Sequence, residues 1–234
     1  MNLQRSILLA LLGAFLAACA TISGQPLKPS TAWVANSPEW SEEARAVYAE
    51  ASQFIREASA SRDSGGWAVV LDLDETVMNN VAYQISRDRI GEGFTPETWH
   101  EWTLEEKATL VPGAAEFLDA VNAAGGHVAF VTNRRDNEQL ATESNLAKLG
   151  IRRNEDFRVL LTRASPKGPS AKDGRYAIIP AMLEAQGYPG VEIIAYVGDA
   201  KGDKPATEGG WRFFCIDQGG MYGDVCADIP GPGR

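Results

Sequence analysis

Histidine, cysteine and clustered positive charge are what this 234-residue sequence has least of. Only His100 and His127 occur, and neither stands in an Arg-His-Gly motif, which excludes a phosphatase built on a histidine nucleophile. His127 opens an apolar run and reads as structural. Lysine and arginine total 22 against 31 aspartate and glutamate, giving a net charge of −9 and a pI near 4.8. No basic run offsets that balance, so a nucleic-acid surface is excluded and no nucleic-acid polymer is expected as a partner. Of the three cysteines, Cys19, Cys215 and Cys226, none has a local histidine or other base that would make its thiol a nucleophile. Repeats and low-complexity runs are missing too.

A long apolar run occurs once, at the start. The stretch "MNLQRSILLALLGAFLAAC" has one arginine, an apolar core too short to span a bilayer comfortably, and small residues before Cys19. It reads as a secretory signal peptide over residues 1–18. "LAAC" (Leu16–Cys19) is similar to a bacterial lipobox, in which cleavage exposes the cysteine for lipid attachment. The alternative is an ordinary signal peptide with an incidental cysteine. On the lipobox reading, the chain is anchored to a membrane of the cell envelope without spanning it. Ala20, by analogy with lipoprotein sorting, points to a bacterial outer membrane. Residues 19–37 then comprise the lipidated cysteine and a tether rich in Pro, Ser, Thr and Gly. An oxidising envelope would let Cys215 and Cys226 pair, whereas the apolar run "WRFFCID" equally suits Cys215 as a buried free thiol. Both readings stay open.

Residues 38–234 read as one folded domain. Ser37 is placed as the N-cap of a helix with Pro38 in its first turn, and Trp40, Ala44, Tyr48, Ala51 and Ile55 recur at helical spacing. Apolar strand candidates follow at Trp67–Leu73, His127–Thr132, Phe157–Leu161, Val191–Val197 and Trp211–Ile216. Helical patterns separate most of them, at Pro112–Ala124, Asn137–Leu149 and about Lys172–Gln186. Near-continuous apolar strands alternating with helices predict an α/β fold, a doubly wound, Rossmann-like parallel sheet covered on both faces. Residues 77–110 interrupt the alternation with an aromatic, mostly helical insertion, with Thr95 as an N-cap before Pro96.

The polar residues of note lie where the strands stop. "WAVVLDLDETVMNN" ends its apolar run in Asp72 and Asp74, "FVTNRR" ends in Thr132, Asn133 and Arg134, and "VGDAKGD" supplies Asp199 and Asp203. Ligands of open α/β sheets bind at these carboxyl ends. Two aspartates so close in sequence repel unless something positive neutralises them, and the next basic side chain is Arg87. A hard divalent cation, Mg²⁺, held by Asp72 and Asp199 is the expected answer. The chemistry that fits is phosphoryl transfer, with Asp72 as nucleophile and Asp74 as acid and base towards the leaving oxygen and water. Thr132 and Lys172 would hold the other phosphate oxygens, although Lys167, Lys201 and Lys204 compete with Lys172 for that role.

"DLDET", Thr132, a downstream lysine and Gly198–Asp203 together resemble the four motifs of the haloacid dehalogenase (HAD) superfamily. With the lipobox, "FTPETWHEW", "VPGAAEFL" and "MYGD", the chain resembles the class C nonspecific acid phosphatases, which include bacterial outer-membrane lipoprotein 5′-nucleotidases. The resemblance implies a HAD-like sheet with a cap after the first strand, and Mg²⁺-dependent hydrolysis of phosphomonoesters, nucleoside 5′-monophosphates among them. It implies metal ligation by Asp72, the backbone carbonyl of Asp74 and Asp199, with Asp203 supporting the metal or the lysine. It implies phosphate contacts from Thr132, Asn133 and Lys172, and an aromatic clamp of Tyr83, Trp99 and Tyr222. The chain departs from the family in "GDAKGDKP", where Ala200 replaces an asparagine and Lys201 an apolar residue, which puts that loop's geometry in question. The other readings are a catalytically silent scaffold used for binding or adhesion, and a dehalogenase, which would have no use for Asp74 or a metal. A homodimer is left open.

Overall fold

The computed structural model describes residues 24–223 and 225–229. The leader expected over 1–18 and the lipidation candidate Cys19 lie outside them. The described chain opens with two helices, α1 (Pro29–Asn36) and α2 (Pro38–Ser59). α2 begins where its cap predicts, the Ser37 hydroxyl accepting from the Trp40 N–H at 3.3 Å. α1 corrects the tether expected over 19–37, because its second half is helical and packed. Pro29 presets the first turn, and Thr31 and Val34 are buried, Val34 in the cluster that includes Trp40.

The chain continues through β1 (Trp67–Leu71), β2 (Met78–Asn79), α3 (Val81–Arg89), α4 (Pro96–Glu105), β3 (Thr109–Leu110) and α5 (Ala114–Ala123). It ends with β4 (His127–Arg135), α6 (Gln139–Lys148), β5 (Val159–Arg163), α7 (Asp173–Tyr176), α8 (Ile179–Glu184), β6 (Glu192–Gly198) and β7 (Arg212–Cys215). Five strands form one sheet in the order β5-β4-β1-β6-β7, and every pair is parallel. The central strand serves both faces. Trp67, Val69 and Leu71 join the apolar cluster shared with α2 and α5, while Ala68 and Val70 join the cluster shared with α7 and α8. This is the doubly wound α/β sheet the alternation predicts.

Two elements differ from their sequence reading in ways that matter to the site. The helix expected over Lys172–Gln186 is broken into α7 and α8. Pro180 has no N–H to offer the Tyr176 carbonyl, so a continuous helix cannot pass through it. The strand expected to stop at Thr132 runs on to Arg135, with a shift of register between Val131 and Arg135. Such irregularities re-aim side chains at a sheet's end.

The insertion between β1 and α5 is closed at its base by the antiparallel pair β2–β3, Met78 facing Leu110 and Asn79 facing Thr109. The Thr95 hydroxyl caps α4, accepting from the Thr98 N–H at 3.2 Å. At the far edge, Cys215 is bonded to Cys226, which decides between the two readings of these cysteines. The bond closes a loop that carries Gln218 and Tyr222. Replacing Cys226 with serine is expected to lower the unfolding free energy by about 2–3 kcal/mol. An unchanged denaturation midpoint, with the slope also unchanged, would contradict that stabilisation.

Candidate active site

β1 delivers Asp72 directly to the floor of the site. The Asp72 N–H still belongs to the ladder, donating to the Val197 carbonyl at 2.9 Å, and the residue is 8% exposed. Beyond it the chain folds back on itself, the N–H groups of Val77 and Met78 both donating to the Leu73 carbonyl. Glu75 completes that turn in the left-handed region, with φ of 59°, a conformation costing an L-residue about 1–2 kcal/mol. Its buried carboxylate accepts from the Asn80 N–H at 2.7 Å, which holds the turn in place.

β6 brings Asp199 alongside, one residue past Gly198. A Cβ at Gly198 would fall 2.2 Å from the Asp203 Cβ, so only glycine lets the two approach. The Asp203 carboxylate accepts from the N–H groups of Asp199 and Ala200, at 3.1 and 3.0 Å. The unusual "AKG" is thereby held in a single turn at Lys201–Asp203. Lys172, just before α7, is buried beside both acids. Its ammonium donates to Asp203 Oδ1 at 2.5 Å and to Asp72 Oδ1.

One carboxylate oxygen from each of Asp72, Asp199 and Asp203 lies within 4.8 Å of the others. Three buried acids around one ammonium leave negative charge uncompensated, and an all-oxygen donor set suits a hard divalent cation. The residues therefore fit a metal. Their ranks differ, however. Both oxygens of Asp203 are taken by Lys172 and the two N–H groups, so Asp203 positions the lysine. Asp72 keeps one oxygen that Lys172 does not take, and Asp199 one that Gln218 does not. Burial pushes the Asp72 carboxyl up to about 7, with Lys172 opposing the rise and Asp203 and Asp74 adding to it. Asp199 is likewise raised, first by burial and then by Asp203 and Asp72. Glu75 is raised by burial and by the Asp74 charge.

Asp74 turns away from this triad, so any metal-ligand role there falls to its backbone carbonyl. Its carboxylate is gripped by Arg134, whose Nε and terminal nitrogen lie 2.9 and 2.7 Å from Oδ1. Asn80 Nδ2 donates to the same oxygen at 2.9 Å. The Asn80 Oδ1 in turn accepts from Arg134 and from the Trp102 indole N–H, at 3.2 and 2.8 Å. Arg134 stands in the "FVTNRR" motif without a role from sequence. Because the strand runs past its expected end, Arg134 falls on the same side as Thr132, both buried, while Asn133 between them is exposed.

A cavity of about 330 Å³ opens above these groups. Trp99 and Tyr222 line it as expected, and Phe94, Arg135 and Arg163 line it without having been singled out. Tyr83 does not reach it. It is buried behind the wall, its ring edge-on to Trp99 at 5.1 Å and its hydroxyl on Thr98, so the clamp loses that member because Trp99 stands in front. Thr132 is fully buried, and its hydroxyl accepts the Arg134 N–H at 3.1 Å, leaving its own proton to donate. Asn133 lines the cavity with its side-chain oxygen accepting from Arg175 at 2.7 Å.

A family model described as HAD superfamily, subfamily IIIB (acid phosphatase), matches residues 16–224. The class C acid phosphatase from Bacillus anthracis with tungstate bound has a TM-score of 0.69 at 23% identity, over 83% of this chain and 84% of that one. A second structure of that enzyme gives 0.68 at the same identity and coverage. Likeness at that level speaks to the fold. The stem 28 kDa glycoprotein of Glycine max is 26% identical over 134 residues, 57% of this chain and 51% of that protein. A stem 31 kDa glycoprotein of the same plant is 26% identical over 134 residues, with 57% and 44% covered. The chain spans about half the length of these curated relatives.

The raised carboxyls fix a sign for stability against pH. Asp72, Asp199 and Glu75 keep protons in the folded chain where the unfolded chain has lost them, so stability falls as pH rises from ~4 towards the Asp72 value of about 7. His127, lowered by burial, works the other way. Melting in chelator is expected to be lower at pH 7 than at pH 5, a divalent cation to narrow the gap, and Asp199→Asn to shrink it without metal. A wild-type gap equal to that of Asp199→Asn would remove the account.

Proposed function

The chain belongs to subfamily IIIB of the HAD superfamily, the acid phosphatases, and from that premise we propose that it hydrolyses phosphomonoesters through a phosphorylated Asp72. The observation that carries the reading is the buried contact of Lys172 with Asp72 and Asp203, beside Asp199, on the floor of a cavity that Asp74 also lines. One carboxylate oxygen of Asp72 forms the bond to phosphorus as the bond from phosphorus to the alcohol oxygen breaks. Asp74 gives that oxygen a proton. It then takes one from the water that attacks phosphorus, releasing phosphate and restoring Asp72. Lys172 and the Thr132 hydroxyl hold phosphoryl oxygens on which charge spreads. A divalent cation, proposed as Mg²⁺, on Asp72, the Asp74 carbonyl and Asp199 would supply further neutralisation of that charge.

Substrates with an aromatic or nucleoside leaving group, such as nucleoside 5′-monophosphates, suit a wall made of Phe94, Trp99 and Tyr222. The tungstate in the Bacillus anthracis enzyme is a tetrahedral oxyanion of phosphate's shape, which agrees with this reading. The altered fourth-motif loop does not argue for a silent scaffold, because Asp203 anchors it through backbone N–H groups that any side chain would leave in place. We also propose that the chain is held at the cell envelope by lipid on Cys19, at the outer membrane. The Cys215–Cys226 bond supports an oxidising compartment.

Asp72→Asn is expected to abolish phosphate release from nucleotide and aryl phosphates while the circular dichroism spectrum stays native. Retained turnover would remove the nucleophile, and release unaffected by chelation would remove the metal. Arg134→Lys is expected to lower kcat by about 10²-fold with little change in KM, since it loosens the aim of Asp74 without touching the phosphate groups. A change confined to KM would place Arg134 in binding instead.

A further inference from the structure

The cavity has a positive wall that the reaction above does not use. Arg135 ends β4 and Arg163 ends β5, and the two are register partners across that parallel pair. Their Cα atoms are therefore about one strand spacing apart, ~4.8 Å, with both side chains leaving the sheet on the same side. Both line the cavity that holds Asp72, Trp99 and Tyr222. Among the described residues neither guanidinium forms an ion pair, and Arg163 donates to the Gly168 carbonyl. Arg175 lies behind this wall rather than in it. Its guanidinium is held by the oxygens of Thr132, Asn133 and Ser170, and it feels the charge of Asp72 before that of Arg163.

In a chain with a net charge of −9 the same cavity is lined by Glu138, but that carboxylate accepts from the Arg135 backbone N–H and lies 3.1 Å from the His100 ring, and it forms no ion pair with either guanidinium. Like charges so close repel, and an anion among them reverses the sign. The reacting phosphate sits elsewhere, with Lys172 and Asp72. We propose that Arg135 and Arg163 form a second anion subsite, and that the preferred substrates are phosphomonoesters whose alcohol portion carries a second phosphate. The proposal rests on the phosphatase reading. Two adjacent guanidinium forks match the oxygens of a phosphate, and the connecting ring would lie against Phe94, Trp99 and Tyr222 in the same cavity.

The test compares adenosine 5′-monophosphate with adenosine 3′,5′-bisphosphate. Both serve as substrates, and both are titrated calorimetrically with Mg²⁺ into Asp72→Asn, which separates binding from turnover. The bisphosphate is expected to bind about tenfold more tightly and to show a correspondingly higher kcat/KM. Arg135→Gln and Arg163→Gln are expected to erase that gap while leaving the monophosphate nearly unchanged. Arg135→Gln leaves the Arg163 bond to Gly168 intact, so it reads the subsite even where Arg163→Gln disturbs its loop. Equal affinity for the two ligands, or variants that weaken both alike, would overturn the subsite. A calorimetric gap that Arg135→Gln erases, with no turnover of either compound, would support the subsite and strike only the phosphatase reading.

Discussion

The Lys172 ammonium stands between the carboxylates of Asp72 and Asp203, with Asp199 close to both. Removing three acids and one base from water is unfavourable unless further positive charge or protons balance them. That constraint shapes the surroundings. Gly198 has no side chain so that Asp203 can approach, the Asp203 carboxylate is filled by backbone N–H groups, and β1 and β6 lie side by side so that Asp72 and Asp199 emerge together. The same imbalance that holds protons on the acids makes the floor receptive to a divalent ion. On the metal reading, affinity for the ion and sensitivity to pH would share one origin.

A second ion pair, Asp74 with Arg134, solves a separate problem. On the proposed mechanism Asp74 would hand a proton to a departing oxygen and would have to be aimed, and a two-toothed guanidinium aims better than a single ammonium. Arg134 is buried by α6 through Thr142 and by the insertion through Trp99, whose ring lies 5.7 Å away. Asn80 then joins acid, base and the Trp102 indole in one network. The insertion therefore braces the reacting groups as well as overhanging them.

Much of this was legible in the chain. Strand hydrophobicity, the caps Ser37 and Thr95, and the acids at strand ends are local features whose physics is local too. What escaped needed distance. Lys172 was expected at the site for phosphate, but not its pairing with Asp72 from 100 residues away, and the grip of Arg134 on Asp74 from 60 residues away had no sequence signal. The disulfide depended on where Cys226 returns, and helix α1 on having Trp40 to pack beside. Tyr83 carried the right chemistry for a clamp but stands behind Trp99. Composition says which side chains suit a wall, and only packing says which of them faces the room.

The short ribbon of Met78–Asn79 against Thr109–Leu110 ties both ends of the insertion together at one place. His100 on α4 meets Glu138 beyond β4 at 3.1 Å, and Trp102 and Trp99 hold to Asn80 and Arg134 on the same side. A swinging roof would have to release all of these at once, while their partners are the groups that aim Asp74. On the phosphatase reading, passage in and out would then be set by the width between fixed side chains at a standing doorway.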